Sequence, residues 1–297
     1  MDARRERARQ LMAGFAARGT RYLWTDAFAV CNYLDLGEPD AARRLIADVH
    51  RTLAHHRGDD DRTGWLPGAS DAHPTAGGLR IGKPLRERAP GDAFDQQLEW
   101  ERDGQYFHYL TKWIHALHRA GETAWATELA VRAFEAFVRG DRMVWKLSID
   151  LTRPLVPSMG HHDPLDGLVA YRELHAPELE PAIAAFRRMI DTQGSLATSD
   201  PLGLGGLLVA AARLPRRDPL FERVLADALR GLDRVALDGS LAFRELGLAI
   251  GLHAMRDEPR LAHHISLATD IETYWLREGW TEHVDINDVM LATSLLH

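Results

Sequence analysis

The sequence predicts an all-α protein: a closed (α/α)6 toroid of six inner and six outer helices, with long loops at one mouth. Nearly every periodic segment has the helical period, and runs that would indicate β-strands are few. One type of turn recurs along the chain and opens an amphipathic helix each time. A more apolar helix precedes each of these turns. We therefore treat residues 1–297 as one domain of helix pairs.

The amphipathic helices are the predicted outer layer. Each of their opening turns places an acidic residue in the first helical turn, where it interacts favourably with the helix dipole. The later turns follow one another at roughly 40 residues, a period typical of repeated helical hairpins. A helix at 3–18 is the sixth outer member, and the other five begin at GEPDAARRLIADV (Gly37), GETAWATELAVRAF (Gly121), APELEPAIAAFRRM (Ala176), RDPLFERVLADAL (Arg217) and DEPRLAHHISLA (Asp257).

The apolar helices are the predicted inner layer, and their number suggests that the ring closes. An open α-solenoid is the alternative arrangement. We place the inner helices at about residues 20–35, 103–119, 163–175, 202–213, 241–255 and 285–296.

The connections are asymmetric, and this asymmetry predicts where the site lies. Turns from inner to outer helices are short, whereas the return connections are long. Loops of such length in a compact domain are usually functional or disordered, and their tryptophans argue against disorder. We therefore expect the site at the mouth formed by the N-termini of the inner helices. The long loops are predicted at 57–102, 140–162, 194–201 and 270–284.

Composition and charge exclude several classes of protein. With 45% hydrophobic and 27% charged residues, the chain is typical of a soluble globular protein. The net charge of −7, without a long basic run, argues against a nucleic-acid partner. No apolar run is long enough to span a bilayer, and the N-terminus lacks the apolar segment of a signal peptide. We therefore expect a cytoplasmic protein, while its oligomeric state stays open.

The sequence contains no motif for a cofactor or a metal ion. The single cysteine, Cys31, excludes an internal disulfide and a cysteine-rich zinc site. No HExxH spacing is present, and the GGLRIGK stretch lacks the spacing of a phosphate-binding loop. We therefore expect neither a metal nor a cofactor.

The stretch WERDGQYFHYLTKW, residues 100–113, is the centre of the predicted site. On a helix, Gln105, His108, Tyr109 and Lys112 share one face, because residues three, four and seven apart do. A face that is both polar and aromatic suits a wet cavity better than a core stripe. An ordinary surface face is the alternative.

Further candidates come from the starts of the other inner helices and from the long loops. Asp163 precedes a proline, which is typical of a helix N-cap, and the two histidines before it are well placed for proton transfer. Asp26 also suits a capping or first-turn role. Arg244 and Glu245 lie in an apolar helix, where a charged pair is costly unless it is paired or hydrated. Either the two form a structural ion pair, or Glu245 is a catalytic carboxylate.

This alternation of apolar and amphipathic helices, with a mouth rich in aromatic residues and carboxylates, resembles the six-hairpin glycosidase-like superfamily of (α/α)6 barrels. Its members include glucoamylase-like and unsaturated glucuronyl hydrolase-like enzymes, with N-acylglucosamine 2-epimerase-like isomerases as relatives in shape. The resemblance covers the whole chain at the level of architecture, and no family motif assigns a residue. It implies hydrolysis of a glycosidic bond by two carboxyl groups, one of which donates a proton.

The sequence therefore favours a hydrolase of a small, possibly anionic, carbohydrate, with Asp103 and Asp163 as the leading pair. The catalytic candidates are Asp26, Asp103, His108, Asp150, His161, His162, Asp163 and Glu245. The candidates for substrate binding are Trp24, His73, Arg80, Lys83, Trp100, Gln105, Tyr106, Tyr109, Lys146, Arg153, Arg244 and Trp280.

Three alternatives have different chemistry. A sugar epimerase or isomerase would exchange a proton between His108 and His161 or His162. A terpene-like cyclase or lyase would use aromatic rings to stabilise cations, although the basic residues at the mouth count against it. A non-enzymatic solenoid would bind a protein or peptide on a concave aromatic surface.

Overall fold

A computed structural model of the chain describes residues 3–297 and is mostly helical, which confirms the all-α prediction. The helices are α1 (Ala3–Ala16), α2 (Leu23–Asp35), α3 (Pro39–Leu53), α4 (Gln96–Glu101), α5 (Phe107–Arg119), α6 (Thr123–Phe137), α7 (Asp163–Glu173), α8 (Glu180–Thr192), α9 (Pro201–Arg213), α10 (Pro219–Leu232), α11 (Ala242–Ala254), α12 (Ile265–Glu278) and α13 (Val284–Leu296). Short 3-10 helices, Pro177–Leu179 and Pro259–Leu261, precede α8 and α12.

Contacts between helices divide the chain into two compact units. Unit 2 is Thr20–Thr192, and unit 1 combines residues 3–19 with Gln193–His297. Each predicted inner helix corresponds to an observed helix. The first five pack against the outer helix that follows them, and the sixth, α13, packs against α1. The single domain over 1–297 stays a prediction.

In unit 2, α5 packs between α2 and α7, and each of these inner helices pairs with the next helix, α3, α6 or α8. Gly37 and Gly121 lie in the left-handed region, at φ 77° and φ 86°, just beyond the ends of α2 and α5. A glycine in this conformation ends a helix at little steric cost and turns the chain back on itself. The centre of the unit is filled by fully buried aromatic side chains, Phe107, Trp113, Phe137, Tyr171 and Phe186.

Five short strands also lie in unit 2: β1 (Gln105–Tyr106), β2 (Val138–Arg139), β3 (Arg142–Met143), β4 (Lys146–Leu147) and β5 (Pro154–Val156). β4 pairs antiparallel with both β1 and β5, and β2 pairs with β3. The predicted helix at 103–119 therefore begins at Phe107, because β1 occupies the residues before it. Gln105 consequently does not share a helix face with His108, Tyr109 and Lys112, which corrects the predicted four-residue face.

In unit 1, α11 packs between α9 and α13. Helix α10 pairs with α9, α12 with α11, and α1 with α13. The contact between α9 and α11 is close, since a Cβ atom added to Gly205 would lie 1.9 Å from the carbonyl oxygen of Gly247. The predicted loop at 270–284 is wrong, because α12 continues to Glu278. Ile271 and Trp275 are buried on this continuation, and their burial favours helix over loop.

None of the helices formed by residues 3–297 has the length and the apolar character that crossing a membrane would need.

Candidate functional site

Six aromatic side chains meet at the N-terminal ends of the inner helices of unit 2, and we term them the ring cluster: Tyr22, Trp100, Tyr106, His108, Tyr109 and Trp145. The ring of Tyr106 lies 5.0 Å from that of Trp145 and 5.2 Å from those of His108 and Tyr109, centroid to centroid. His108 stacks on Trp145 with 13° between the ring planes. The distances and angles are those of favourable aromatic pairs.

Backbone pairing explains why these rings meet. In the β1–β4 register, Tyr106 lies opposite Lys146, which brings Trp145 beside the start of α5. Ile81, in the loop between α3 and α4, connects the start of α2 to the segment just before α5. Its carbonyl accepts a hydrogen bond from the Leu23 amide, and its amide donates one to the Gly104 carbonyl. The starts of α2 and α5 are thereby held to one another through the first long loop.

The ring cluster is partly open to solvent. Trp100 is 47% exposed, and the His108 side chain is 25% exposed, whereas Tyr106 is buried. The hydroxyls of Tyr22 and Tyr109 share a hydrogen bond. The cluster therefore offers aromatic faces and two phenolic hydroxyls to a ligand, a combination that suits the apolar faces and hydroxyl edges of a small polar molecule.

A carboxyl group lies against this cluster. His108 Nδ1 is 3.6 Å from Asp163 Oδ1, and the Gly160 amide donates to Asp163 Oδ2 at 3.2 Å. Asp163 is the first residue of α7 and His162 occupies the N-cap position, which corrects the prediction that Asp163 caps the helix. One turn further on, Asp166 accepts a hydrogen bond from Lys112 Nζ at 3.0 Å.

Burial controls the protonation of this pair. Burial raises the pKa of Asp163 to about 8, helped by the charge of Asp166 and opposed by Gly160 and Lys112. Burial also lowers the pKa of His108 to about 4, against the effect of Asp166 and together with that of Lys112. At pH 7 the site therefore holds a protonated carboxyl group beside a neutral imidazole.

The tyrosines of the cluster are neutral over the whole physiological range. Burial raises the pKa of Tyr22 to about 12 and raises the pKa values of Tyr106 and Tyr109 as well. Their hydroxyls are hydrogen-bonding groups and are unsuited to act as bases at neutral pH.

Asp103 lies in a different environment from Asp163. Its carboxylate accepts hydrogen bonds from Arg80 at 2.6 Å and Arg57 at 3.2 Å, and from the amides of Gly82 and Gly104 at 3.0 Å. Four donors from the protein satisfy the hydrogen-bonding capacity of this buried carboxylate. We therefore assign Asp103 and Arg80 to the support of the loop, and the leading pair of Asp103 with Asp163 gains no support from this geometry.

Several other candidates in unit 2 are also engaged in hydrogen bonds within the protein. Gln105 contacts Leu79, Gly77 and Ile149 through both ends of its amide. Lys146 donates to Glu99 and to the Arg102 carbonyl, Arg153 donates to the Arg88 carbonyl, and Asp150 accepts from Ser148, Thr152 and Arg62.

The remaining unit 2 candidates lie at varied positions. Trp24 is buried and packs on Phe28, and Asp26 is buried against Arg21. His73 Nδ1 lies 2.6 Å from a carboxylate oxygen of Glu128 on α6, away from the inner-helix N-termini. His161 and His162 contact one another just before Asp163, with ring centroids 4.8 Å apart.

The three candidates in unit 1 form separate contacts. Arg244 pairs with Asp200, whereas Glu245 accepts hydrogen bonds from the Gly239 amide at 3.0 Å and from Trp275 Nε1 at 2.8 Å. Arg244 and Glu245 therefore do not pair with one another. Trp280 donates to Asp288 at 3.1 Å.

The structure adds Tyr22, Trp145 and Asp166, which were not among the named candidates. Trp145 lies in the predicted loop 140–162 and Asp166 lies three residues after Asp163 on the same helix, so the sequence placed both in the region of the site, whereas Tyr22 carried no signal of its own. Within residues 3–297 no three histidine, cysteine or acidic side chains converge in a way that would hold a metal ion.

Comparisons with protein-family models, curated proteins and solved structures found no match to this chain.

Proposed function

We propose that the chain is a hydrolase that cleaves a glycosidic bond of a small carbohydrate, with Asp163 as its general acid. The observation that carries this proposal is the buried Asp163 carboxyl group lying against His108 and the half-open ring cluster. A general acid must hold its proton at neutral pH, and the raised pKa of Asp163 meets this need. The predicted toroid is the architectural part of the proposal and rests on the number of helix pairs.

In the proposed reaction, Asp163 donates its proton to the glycosidic oxygen while the bond from that oxygen to the anomeric carbon breaks. Asp166, on the next turn of α7 and held by Lys112, accepts a proton from the water that attacks the anomeric carbon. One C–O bond is broken and one is formed, and the proton gained by Asp166 can return to Asp163 through solvent. No cofactor is needed for this balance.

The ring cluster supports a carbohydrate more than an apolar substrate. The exposed ring of Trp100 and the partly exposed ring of Trp145 suit the apolar face of a sugar ring, and the Tyr22 and Tyr109 hydroxyls suit its hydroxyl groups. The terpene-like cyclase would need a drier cavity without the lysines that surround these rings.

The test is turnover of a panel of aryl glycosides and aryl glycuronides by the wild type and by Asp163→Asn. We expect the substitution to lower kcat by about 10²-fold or more, the usual contribution of a general acid. Asp227→Asn is the matched control, since Asp227 is a buried carboxylate that binds Ser195 and the Leu196 amide in unit 1. Full turnover by Asp163→Asn, or no turnover of the panel by the wild type, would contradict the proposal.

A sugar isomerase is the second candidate, and the contact between His108 and Asp163 favours it. A neutral imidazole beside a protonated carboxyl provides one proton acceptor and one donor, as a proton exchange at carbon requires. Turnover in D2O separates the two functions: an isomerase incorporates deuterium at carbon without cleaving a bond, whereas a hydrolase releases a new reducing end.

A further inference from the structure

The chain has only three lysines among its 36 lysines and arginines, and all three lie around the ring cluster. Lys83 lies over the ring of Tyr22 and Lys146 over that of Tyr106, each with Nζ 5.4 Å from the ring centroid. Lys112 binds Asp166 on the neighbouring helix. Elsewhere the chain uses arginine for its positive charges, so an ammonium group distinguishes this region from the rest of the molecule.

Two of these ammonium groups are already neutralised by the protein. Lys146 is completely buried and lies 3.0 Å from Glu99 Oε1, and Lys112 lies 3.0 Å from Asp166 Oδ1. Lys83 differs from both. Within residues 3–297, its ammonium has neither a hydrogen-bond acceptor nor a carboxylate within ion-pair distance, and its side chain is half-buried.

The surroundings of Lys83 hold it in place without neutralising it. Arg57 donates to the Lys83 carbonyl at 2.6 Å, which fixes the backbone at this position. Of the two nearby acidic groups, Asp103 is engaged by Arg57 and Arg80, and Glu101 is exposed. Burial lowers the pKa of Lys83, against the effects of Glu101 and Asp103. A half-buried cation without a counter-ion costs free energy that a bound anion would recover.

We infer that Lys83 binds the carboxylate of an anionic substrate, a uronic acid or its glycoside, with the sugar ring on the ring cluster. This inference rests on the proposed function and names its substrate class. One ammonium matches one carboxylate, whereas a phosphate monoester carries nearly two negative charges at pH 7. His108 supplies no second positive charge, because its pKa of about 4 leaves it neutral. Lysine suits this task through its compact charge on a flexible stem.

The experiment compares methyl β-D-glucuronide and methyl β-D-galacturonide with the corresponding neutral methyl glycosides, by calorimetric titration without turnover. The variants are Lys83→Met and the control Arg86→Met, which removes an exposed positive charge three residues further along the same loop. We expect the wild type to bind at least one uronide about 10-fold more tightly than its neutral partner, which corresponds to ~1.4 kcal/mol. Lys83→Met should abolish this preference, and Arg86→Met should preserve it.

The outcomes separate the inference from the proposed function. Equal binding of acidic and neutral glycosides, or an unchanged preference in Lys83→Met, would overturn the role of Lys83 and leave a carbohydrate hydrolase standing. Absence of binding by all four glycosides, together with no turnover of the aryl glycoside panel, would overturn both.

Protection from acetylation gives an independent readout that needs no activity. Lys146 is fully buried and Lys112 is paired, so an amine-reactive acetyl ester should modify Lys83 first among the lysines. The bound uronide should slow this modification at Lys83, as measured by mass spectrometry of the peptides. The neutral methyl glycoside at the same concentration should not, and equal protection by both would count against the proposal.

Discussion

His108 Nδ1 lies 3.6 Å from Asp163 Oδ1, and in this pair the carboxyl group rather than the imidazole carries the proton at pH 7. The two groups come from the first turns of α5 and α7, so the packing of these inner helices determines their separation. Burial disfavours the charged form of both side chains, which makes a neutral pair the more stable arrangement.

The first prediction concerns stability against pH. Folding raises the pKa of Asp163 from 3.8 to about 8, so between these values the folded state holds a proton that the unfolded state has released. Its contribution to stability is present at low pH and is lost as the pH rises through the folded pKa. From pH 6.5 to pH 8, the free energy of unfolding of the wild type should fall relative to that of Asp163→Asn by about 1.5 kcal/mol.

Urea denaturation of both proteins at several pH values across this window provides the measurement. The window begins at the ordinary pKa of histidine, 6.5, and the low folded pKa values of His50 and His108 affect both proteins alike, so they cancel in the difference between the two curves. Asp40→Asn, at an exposed position on α3, should give a curve parallel to that of the wild type. A constant difference between Asp163→Asn and the wild type would show that Asp163 is ionised in the folded protein.

A second prediction distinguishes a supporting carboxylate from a catalytic one. Asp103→Asn leaves the buried guanidinium of Arg80 without its counter-charge, and breaking a buried ion pair typically costs about 3–5 kcal/mol. We expect a loss of stability of this order, measured by urea denaturation. The folded variant should still bind the preferred glycoside.

Asp48→Asn is the comparison, because Asp48 pairs with Arg51 on an exposed helix face. Exposed pairs of this kind contribute about 0–1 kcal/mol, so its stability should stay close to that of the wild type. If Asp103→Asn were as stable as Asp48→Asn, the supporting role assigned to Asp103 would be wrong.

The third prediction tests the close packing of α9 and α11. Gly205→Ala would place a methyl group 1.9 Å from the Gly247 carbonyl oxygen, so the helices must move apart. Overpacking of a core usually costs about 1–3 kcal/mol, and we expect a loss at the upper end of this range or beyond it. Thermal and urea denaturation report the change.

Gly206→Ala is a matched control on the same helix, since an added Cβ there meets no atom within 4 Å. Alanine is a better helix former than glycine, so this variant should gain up to about 1 kcal/mol. Equal effects of the two substitutions would mean that the contact between α9 and α11 is looser than the structure indicates.

The helices could be predicted because their signals are local. An apolar or amphipathic period, a first-turn acid and a turn glycine such as Gly37 act within a few residues of one another. The start of α5 was harder, because the pairing of Gln105 with Leu147 joins residues far apart in the sequence. The predicted loop at 270–284 leaves out the continuation of α12 to Glu278, because Ile271 and Trp275 are two apolar residues whose shared helix face becomes evident only from their burial against the rest of the unit.

The position of the site could be predicted from the sequence, but the role of each residue in it could not. His108 and Asp163 were both placed at the mouth, because each lies near the start of an inner helix. The difference between Asp103 and Asp163 comes from partners elsewhere in the chain, Arg57 and Arg80 for one and His108 for the other. Neither these long-range contacts nor the burial that raises the pKa of Asp163 can be predicted from the residues next to each aspartate in the sequence.

The pairing of α1 with α13 has a consequence for the order of events during synthesis. Every helix pair of unit 2 lies within one continuous stretch of the chain, and these pairs are complete once Thr192 has left the ribosome. Helix α1 is synthesised before the other described helices, whereas its partner α13 is synthesised after all of them. The apolar stripe of α1 therefore stays without this partner while the helices between them are synthesised.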